Sequence, residues 1–386
     1  MMSKSMLRLV ALTILVVATE SPSVAEDRPL VDGGMGDKPF IQAQQGQTRI
    51  GGYVEAHFRY AKSLGITDEL TFETKRFNVF TYTPVTQRLR VASELEFEEG
   101  GEEIKLEIAA IDFEIHPTLT FRGGIVLSPL GRFNLSHDSP ANDLTDRPLV
   151  STQIIPTALS EAGMGFFGTF YPSVNARVTY EVYLVNGFDE GVIRASGDGT
   201  RIPEGRGNFE DNNQRPSWVG RVGLSPVRQA ELGLSLHTGP YNEWEADGLA
   251  IDQKRGVTIW AVDWDAAWRS FELVGEYANA SIDVPSETGV LQANQAGVYA
   301  QVNAHFGRGW ISDLPQSVFT GVFRYGKVDF DTDADGDSQR RLTFGLNFRP
   351  EEDAVFKLDY QRENSLDPLN NEVEGAAVLF SVATYF

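Results

Sequence analysis

The chain has 386 residues, 33 Lys and Arg against 54 Asp and Glu, a formal net charge of −21 and no cysteine. Such acidity argues against nucleic acid as a partner, because neutralising phosphates needs Lys and Arg in excess. The lack of cysteine excludes disulfides. The mean hydropathy of −0.23 has the look of a soluble protein. Averages mislead, however, for membrane strands that alternate lipid-facing and lumen-facing residues.

Lys4 and Arg8 precede the apolar run 9–18, and Ser23, Val24 and Ala25 form a small-residue cleavage site, so residues 1–25 read as an export signal. Thr19 and Glu20 interrupt the run before it reaches the 20 or so residues that a spanning helix needs. Without Lys4, Arg8 and Glu20 (net +1) the charge becomes −22. Residues 26–49 are polar and read as a periplasmic lead-in.

From residue 50 to 386 the period is two, the mark of half-polar strands. Val54, Ala56, Phe58 and Tyr60 share one face, with Glu55, His57 and Arg59 on the other. Leu89, Val91, Leu95 and Phe97 oppose Arg88, Arg90, Glu94 and Glu96; Leu342, Phe344, Leu346 and Phe348 oppose Arg341, Thr343 and Asn347. Weaker runs lie near 72–83 and 103–115, the second changing phase as a bulged strand does. The runs give about 16 strands, of the roughly 9 to 11 residues that a tilted strand needs to cross hydrocarbon.

One connection stands apart. Residues 128–163 have no helical period, yet carry Leu135, Leu144, Leu149, Val150, Ile154, Ile155 and Leu159, too apolar for solvent. A loop this long is normally functional or disordered, and its apolar content predicts packing against the inside of a barrel.

Short turns near Pro84, Pro117, Pro172, Pro226 and Pro350 alternate with long segments such as 187–217, 239–255 and 281–295. That order is the signature of outer-membrane barrels. Aromatics near strand ends, Tyr53, Tyr60, Trp260, Trp310 and Tyr360 among them, suit an interfacial girdle. The chain stops inside a strand at Phe386, which must pair with the first strand, since an open edge in lipid leaves backbone groups unsatisfied. The predicted fold is all-β, a transmembrane antiparallel barrel of 16 to 18 strands whose third long loop folds into the lumen.

The run 94–172, with its acidic strand 94–98, Asp112 and Phe113, the LSPLGRFN turn, Arg147-Pro148, Ile155-Pro156-Thr157 and the strand start 163–168, resembles the phosphate-selective porin family O and P. The resemblance implies a trimeric channel in the outer membrane of a Gram-negative bacterium, passing ions and small hydrophilic solutes; it leaves open whether these include anions such as phosphate. In that family the selectivity rests on many lysines and arginines along the path. Here no lysine lies between Lys105 and Lys254.

Alternation sends Arg59, Arg88, Arg90 and Arg122 inward, and with Arg132 and Arg147 of the loop they form the expected basic side of a constriction, facing Asp138 and Asp143. Arginine suits this role because it stays charged and its planar donors match oxyanions. Asp331, Asp333 and Asp335 before Gly336 match the start of a calcium loop, although Leu342 stands where the closing glutamate belongs. No other cofactor is expected. The histidines lack metal spacing and no catalytic motif occurs, so no enzyme activity is expected. The expected partners are lipid, lipopolysaccharide, small solutes and two further copies of the chain. The competing reading is a barrel plugged by the loop and used for surface interaction or envelope anchoring.

Overall fold

The computed structural model describes residues 44–194, 199–285 and 291–386. The expected export signal and most of the expected lead-in lie outside them. Sixteen strands close into one antiparallel barrel: β1 (Arg49–Ser63), β2 (Ile66–Pro84), β3 (Leu89–Glu98), β4 (Glu103–His116), β5 (Leu119–Leu127), β6 (Ser160–Phe170), β7 (Arg177–Val185), β8 (Ser217–Val227), β9 (Ala230–Pro240), β12 (Gly256–Trp268), β13 (Phe271–Ile282), β14 (Asn294–Phe306), β15 (Val318–Asp329), β16 (Ser338–Arg349), β17 (Ala354–Leu366) and β18 (Glu372–Tyr385). The two-residue strands β10 (Glu245–Ala246) and β11 (Leu249–Ala250) make a small hairpin in the loop after β9.

Closure is made by β18 against β1, from Tyr53 opposite Tyr385 to Ser63 opposite Gly375. Gly52 and Phe386 exchange backbone hydrogen bonds of 3.2 and 3.0 Å, so the last residue of the chain pairs with the first strand as expected. No sheet edge is left open to lipid.

The period-two sequence dictates two surfaces. Leu232, Leu234, Phe344, Leu346, Leu358 and Phe380 face outward and are 43 to 59% exposed, which on a closed barrel is a lipid belt. Glu55, Glu94, Glu96, Asp263, Glu276 and Asp359 face inward and are nearly fully buried. Tyr53 departs from its expected place in the girdle. It is wholly buried in the lumen, 6.1 Å from the Tyr385 ring, because it shares the inward parity of Glu55.

Two bulges locate the phase changes. Glu94 pairs with Ile108 but Leu95 with Leu106, leaving Glu107 unpaired in β4. Glu55 pairs with Arg76 but Ala56 with Thr74, leaving Lys75 unpaired in β2. A bulge lets consecutive residues point the same way, and Lys75 and Arg76 both line the lumen.

Except for the 11-residue connection 307–317 on the terminus side, the long loops share the rim opposite the chain termini. That rim also holds two short connections, 64–65 and 99–102. The loop expected over 128–163 ends at 159, because residues 160–163 already pair with β5 as the start of β6.

Candidate functional site

Loop 128–159 turns into the lumen. Asn134 staples its base: the side-chain amide donates to the carbonyls of Ser128 (2.8 Å) and Leu159 (3.1 Å), while its oxygen accepts from the Leu159 N–H (2.8 Å). Beside this staple Ser128 Oγ donates to the Glu161 carboxylate, and His237 Nε2 lies 3.0 Å from the other Glu161 oxygen. Gly131 carries the loop onto the wall at φ +69°, its N–H donating to Ser235 Oγ at 2.9 Å. This φ favours glycine, and a Cβ there would also press on a Glu276 oxygen at 2.3 Å.

One side of the loop is apolar. Leu144, Leu149, Val150, Ile154, Ile155 and Leu159 are 0 to 3% exposed. The lumen face that receives most of them is apolar in turn, with Val257, Ile259, Ala278, Ala280 and Val328 supplied by β12, β13 and β15. Two wall glycines are sockets: a Cβ on Gly297 would stand 2.8 Å from Val150 Cγ2, and one on Gly345 2.4 Å from Leu144 Cδ2. Neither socket is visible in the sequence, where the two look like ordinary strand glycines.

The polar side is pinned residue by residue. Asp138 accepts from the Tyr385 hydroxyl (3.0 Å), and Ser139 Oγ donates to Glu55. Lys357 donates to the Ser139 carbonyl (2.8 Å), while Asp143 meets Asn303 (2.7 Å) and Arg349 (3.2 Å). The Thr145 N–H donates to Asp359 (2.7 Å), and its hydroxyl lies 3.0 Å from that of Ser381. Asp146 pairs with Arg59 (3.1 Å) and more loosely with Arg341 (3.7 Å). Burial opposes the charge on Asp146, but Arg341 and Arg59 outweigh it and hold the carboxyl below the usual carboxylate range.

Above the loop, toward the rim of long connections, lies a vestibule of about 300 Å³ whose charged lining is Arg59, Lys75, Arg76, Asp146, Arg147 and Arg341. Arg59, Arg76 and Arg341 each meet a carboxylate within 3.1 Å. Arg147 donates to the Thr157 carbonyl at 2.8 Å and has no carboxylate within 4.0 Å among the described residues. Burial and the adjacent Arg76 charge push its pKa below the usual arginine range, which still leaves it charged at any physiological pH.

The expected basic side is thus dispersed. Arg59 and Arg147 meet in the vestibule. Arg122 makes a two-pronged bridge to Asp112 (2.7 and 2.9 Å), Arg90 pairs with Glu114, and Arg132 reaches Asp265 (2.8 Å) and, less closely, Glu231 (3.7 Å). Arg88 does not line the lumen as expected: Thr86 accepts its N–H, the strand starts only at Leu89, and the side chain is exposed in the turn. Lys75 and Arg76 escape a sequence reading because of the bulge. Arg341, Arg349 and Lys357 escape because alternation gives a residue's face but not which loop it meets.

Asp331, Asp333 and Asp335 shape a turn. Asp331 accepts the Asp333 N–H (3.1 Å), and Asp333 accepts from Asn294 (2.8 Å). Among the described residues no group of three His, Cys, Asp or Glu is placed to hold a metal ion.

No family model matches the chain, so the phosphate-selective family stands as a resemblance of motifs. The chain is 26% identical over 381 residues to an uncharacterized protein of Aquifex aeolicus strain VF5, covering 91% of this chain and 83% of that one. Its fold is similar to the anion-selective porin from Comamonas acidovorans, with a TM-score of 0.59 at 10% identity over 88% of this chain and 99% of that one. It is also similar to the in-vitro folded, trimeric form of OmpT, an outer membrane protein of Vibrio cholerae, with a TM-score of 0.56 at 10% identity over 89% and 100%. At such identities the likeness is one of fold: a 16-stranded porin-type barrel.

Proposed function

We propose that this outer-membrane barrel is a diffusion channel for ions and small hydrophilic solutes, with loop 128–159 as its constriction and the vestibule around Arg147 as the first point of contact for small anions such as phosphate. The observation that carries the proposal is Arg147, a guanidinium that lines this pocket beside Arg76 and whose hydrogen-bond partner is a backbone carbonyl rather than a carboxylate. A filter needs binding weak enough to release the solute, and one unmatched cation among neutralised ones provides that. The barrel is proposed to assemble as a trimer, as the OmpT form does; the outer wall of β2, with Ile66, Leu70 and Phe72 65 to 83% exposed, offers apolar surface for it.

The plugged barrel is the second reading, and one observation favours it. The loop's side-chain contacts run from β9 through β12–β18 to β1, across most of the lumen. Single-channel recording in planar bilayers under a salt gradient separates the two. The channel reading expects discrete steps, and a severalfold fall in anion over cation permeability for Arg147→Glu. Folded protein without steps overturns the channel; steps with an unmoved reversal potential overturn the role of Arg147.

A further inference from the structure

On the outside of the barrel, the flank from β15 round to β1 carries cations at two neighbouring heights. Lys62, Ala376, Arg362, Leu342 and Tyr325 stand opposite one another across five neighbouring strands. One step nearer the rim of long loops, Arg340 stands opposite Asn364 and Lys327. Their chain neighbours Arg341, Gln361 and Glu363 take the lumen side, with Arg341 bridged to Glu363 at 2.6 Å, so these residues face outward. In the row beneath them lie Tyr60, Val378, Tyr360, Phe344 and Phe323, aromatic and apolar throughout.

Two adjoining grooves open here, of about 470 and 340 Å³, both lined by Arg362, Glu372 and Glu374. Lys62 closes the first and Arg340 the second. The connection from β1 to β2 is only Leu64 and Gly65, so no long loop of that hairpin covers the first groove. Lys62 and Arg340 have no carboxylate within 4.0 Å among the described residues. Arg362 meets Glu374 at 3.4 Å with both side chains about 60% exposed, a pair of little worth in water.

A cation on the lipid side of a barrel is costly at mid-membrane and tolerated at the interface. Lys62 and Arg362 directly above an aromatic row, with Arg340 one step higher, therefore stand at headgroup level. We infer that this flank is a binding site for a phosphorylated lipid of the outer leaflet, its phosphoryl group held by Arg340, Arg362 and Lys62 and an acyl chain laid over Tyr360, Val378 and Phe344. The two guanidinium groups supply planar donors and the lysine a point charge, the complement of a phosphate monoester. Glu372 and Glu374 are placed to accept hydroxyl donors of a sugar headgroup.

Native mass spectrometry of the detergent-purified full chain, loaded with lipid A, tests the site. Wild type is expected to retain the lipid, and K62A/R340A/R362A to weaken retention at least about tenfold. R308A, which removes a cation from the opposite rim, is expected to retain it like wild type. Folding of each variant is read from its heat-modifiable gel mobility. Equal retention by wild type and the triple variant overturns the proposal, as does equal binding of dephosphorylated lipid A. Displacement of the lipid by millimolar inorganic phosphate overturns the lipid as the occupant.

Discussion

Loops 128–159 and 330–337 carry three and four aspartates close together in sequence, yet the barrel uses most of them in opposite ways. In the first, Asp138, Asp143 and Asp146 reach Tyr385, Arg349 and Arg59 on distant strands. In the second, Asp331 and Asp333 bond within the turn or to the adjacent Asn294, while Asp337 at its end meets a distant cation, Arg201 at 3.0 Å. The first loop also has apolar side chains with sockets to fill, Val150 on Gly297 and Leu144 on Gly345. The second has only Phe330 partly underneath it, with the Arg201 guanidinium 4.3 Å from the ring centre. Acidity alone says nothing about a loop's role. What decides it is whether the same segment can bury apolar surface and thereby hold its charges against a wall.

The contrast can be broken most forcefully at Ile155, which is wholly buried. Ile155→Asp puts an unpaired charge in an apolar site, a cost on the order of 3–5 kcal/mol, and should free the loop. Single-channel conductance is expected to rise severalfold and become noisy. A smaller effect comes from filling a socket: Gly297→Val is expected to cost about 1–3 kcal/mol, seen as a lower melting temperature in detergent with the barrel still closed.

Asp146→Asn sharpens the polar half of the comparison. Arg59 keeps Glu69 and Arg341 keeps Glu363, so the loss is expected near 1–2 kcal/mol. Because the Asp146 pKa is depressed in the folded protein, its contribution is complete above the ordinary carboxylate pKa and is lost as pH falls through the depressed value. The melting-temperature gap between wild type and variant should therefore hold from neutral pH down to roughly pH 4 and close below it. Least of all, alanine at Asp331 or Asp335 should change stability by under about 0.5 kcal/mol.

Much of this was legible because a barrel strand writes its two surfaces into alternate residues. The inward set Glu55, Glu94, Glu96, Asp263 and Asp359 follows from parity alone, and the phase change after residue 103 is the bulge at Glu107. The apolar residues of the long loop announced their burial. Parity gives no height and no distant neighbour, however. Arg88 has the parity of an inward residue but falls one position before its strand begins. Lys75 enters the vestibule only through a bulge. The sockets at Gly297 and Gly345 exist only once the loop is seated, since nothing local requires glycine at either position.

A constriction requires loop 128–159 to lie inside the barrel against β18, and one measurement addresses that contact. The chain has no cysteine, and the hydroxyls of Thr145 and Ser381 are 3.0 Å apart. The variant T145C/S381C, folded in a bilayer and mildly oxidised, is expected to form the disulfide in high yield, shown by mass spectrometry of the digested protein, with single-channel conductance unchanged. Two thiols that stay free and react with a membrane-impermeant maleimide would contradict the seating of the loop, and with it the constriction.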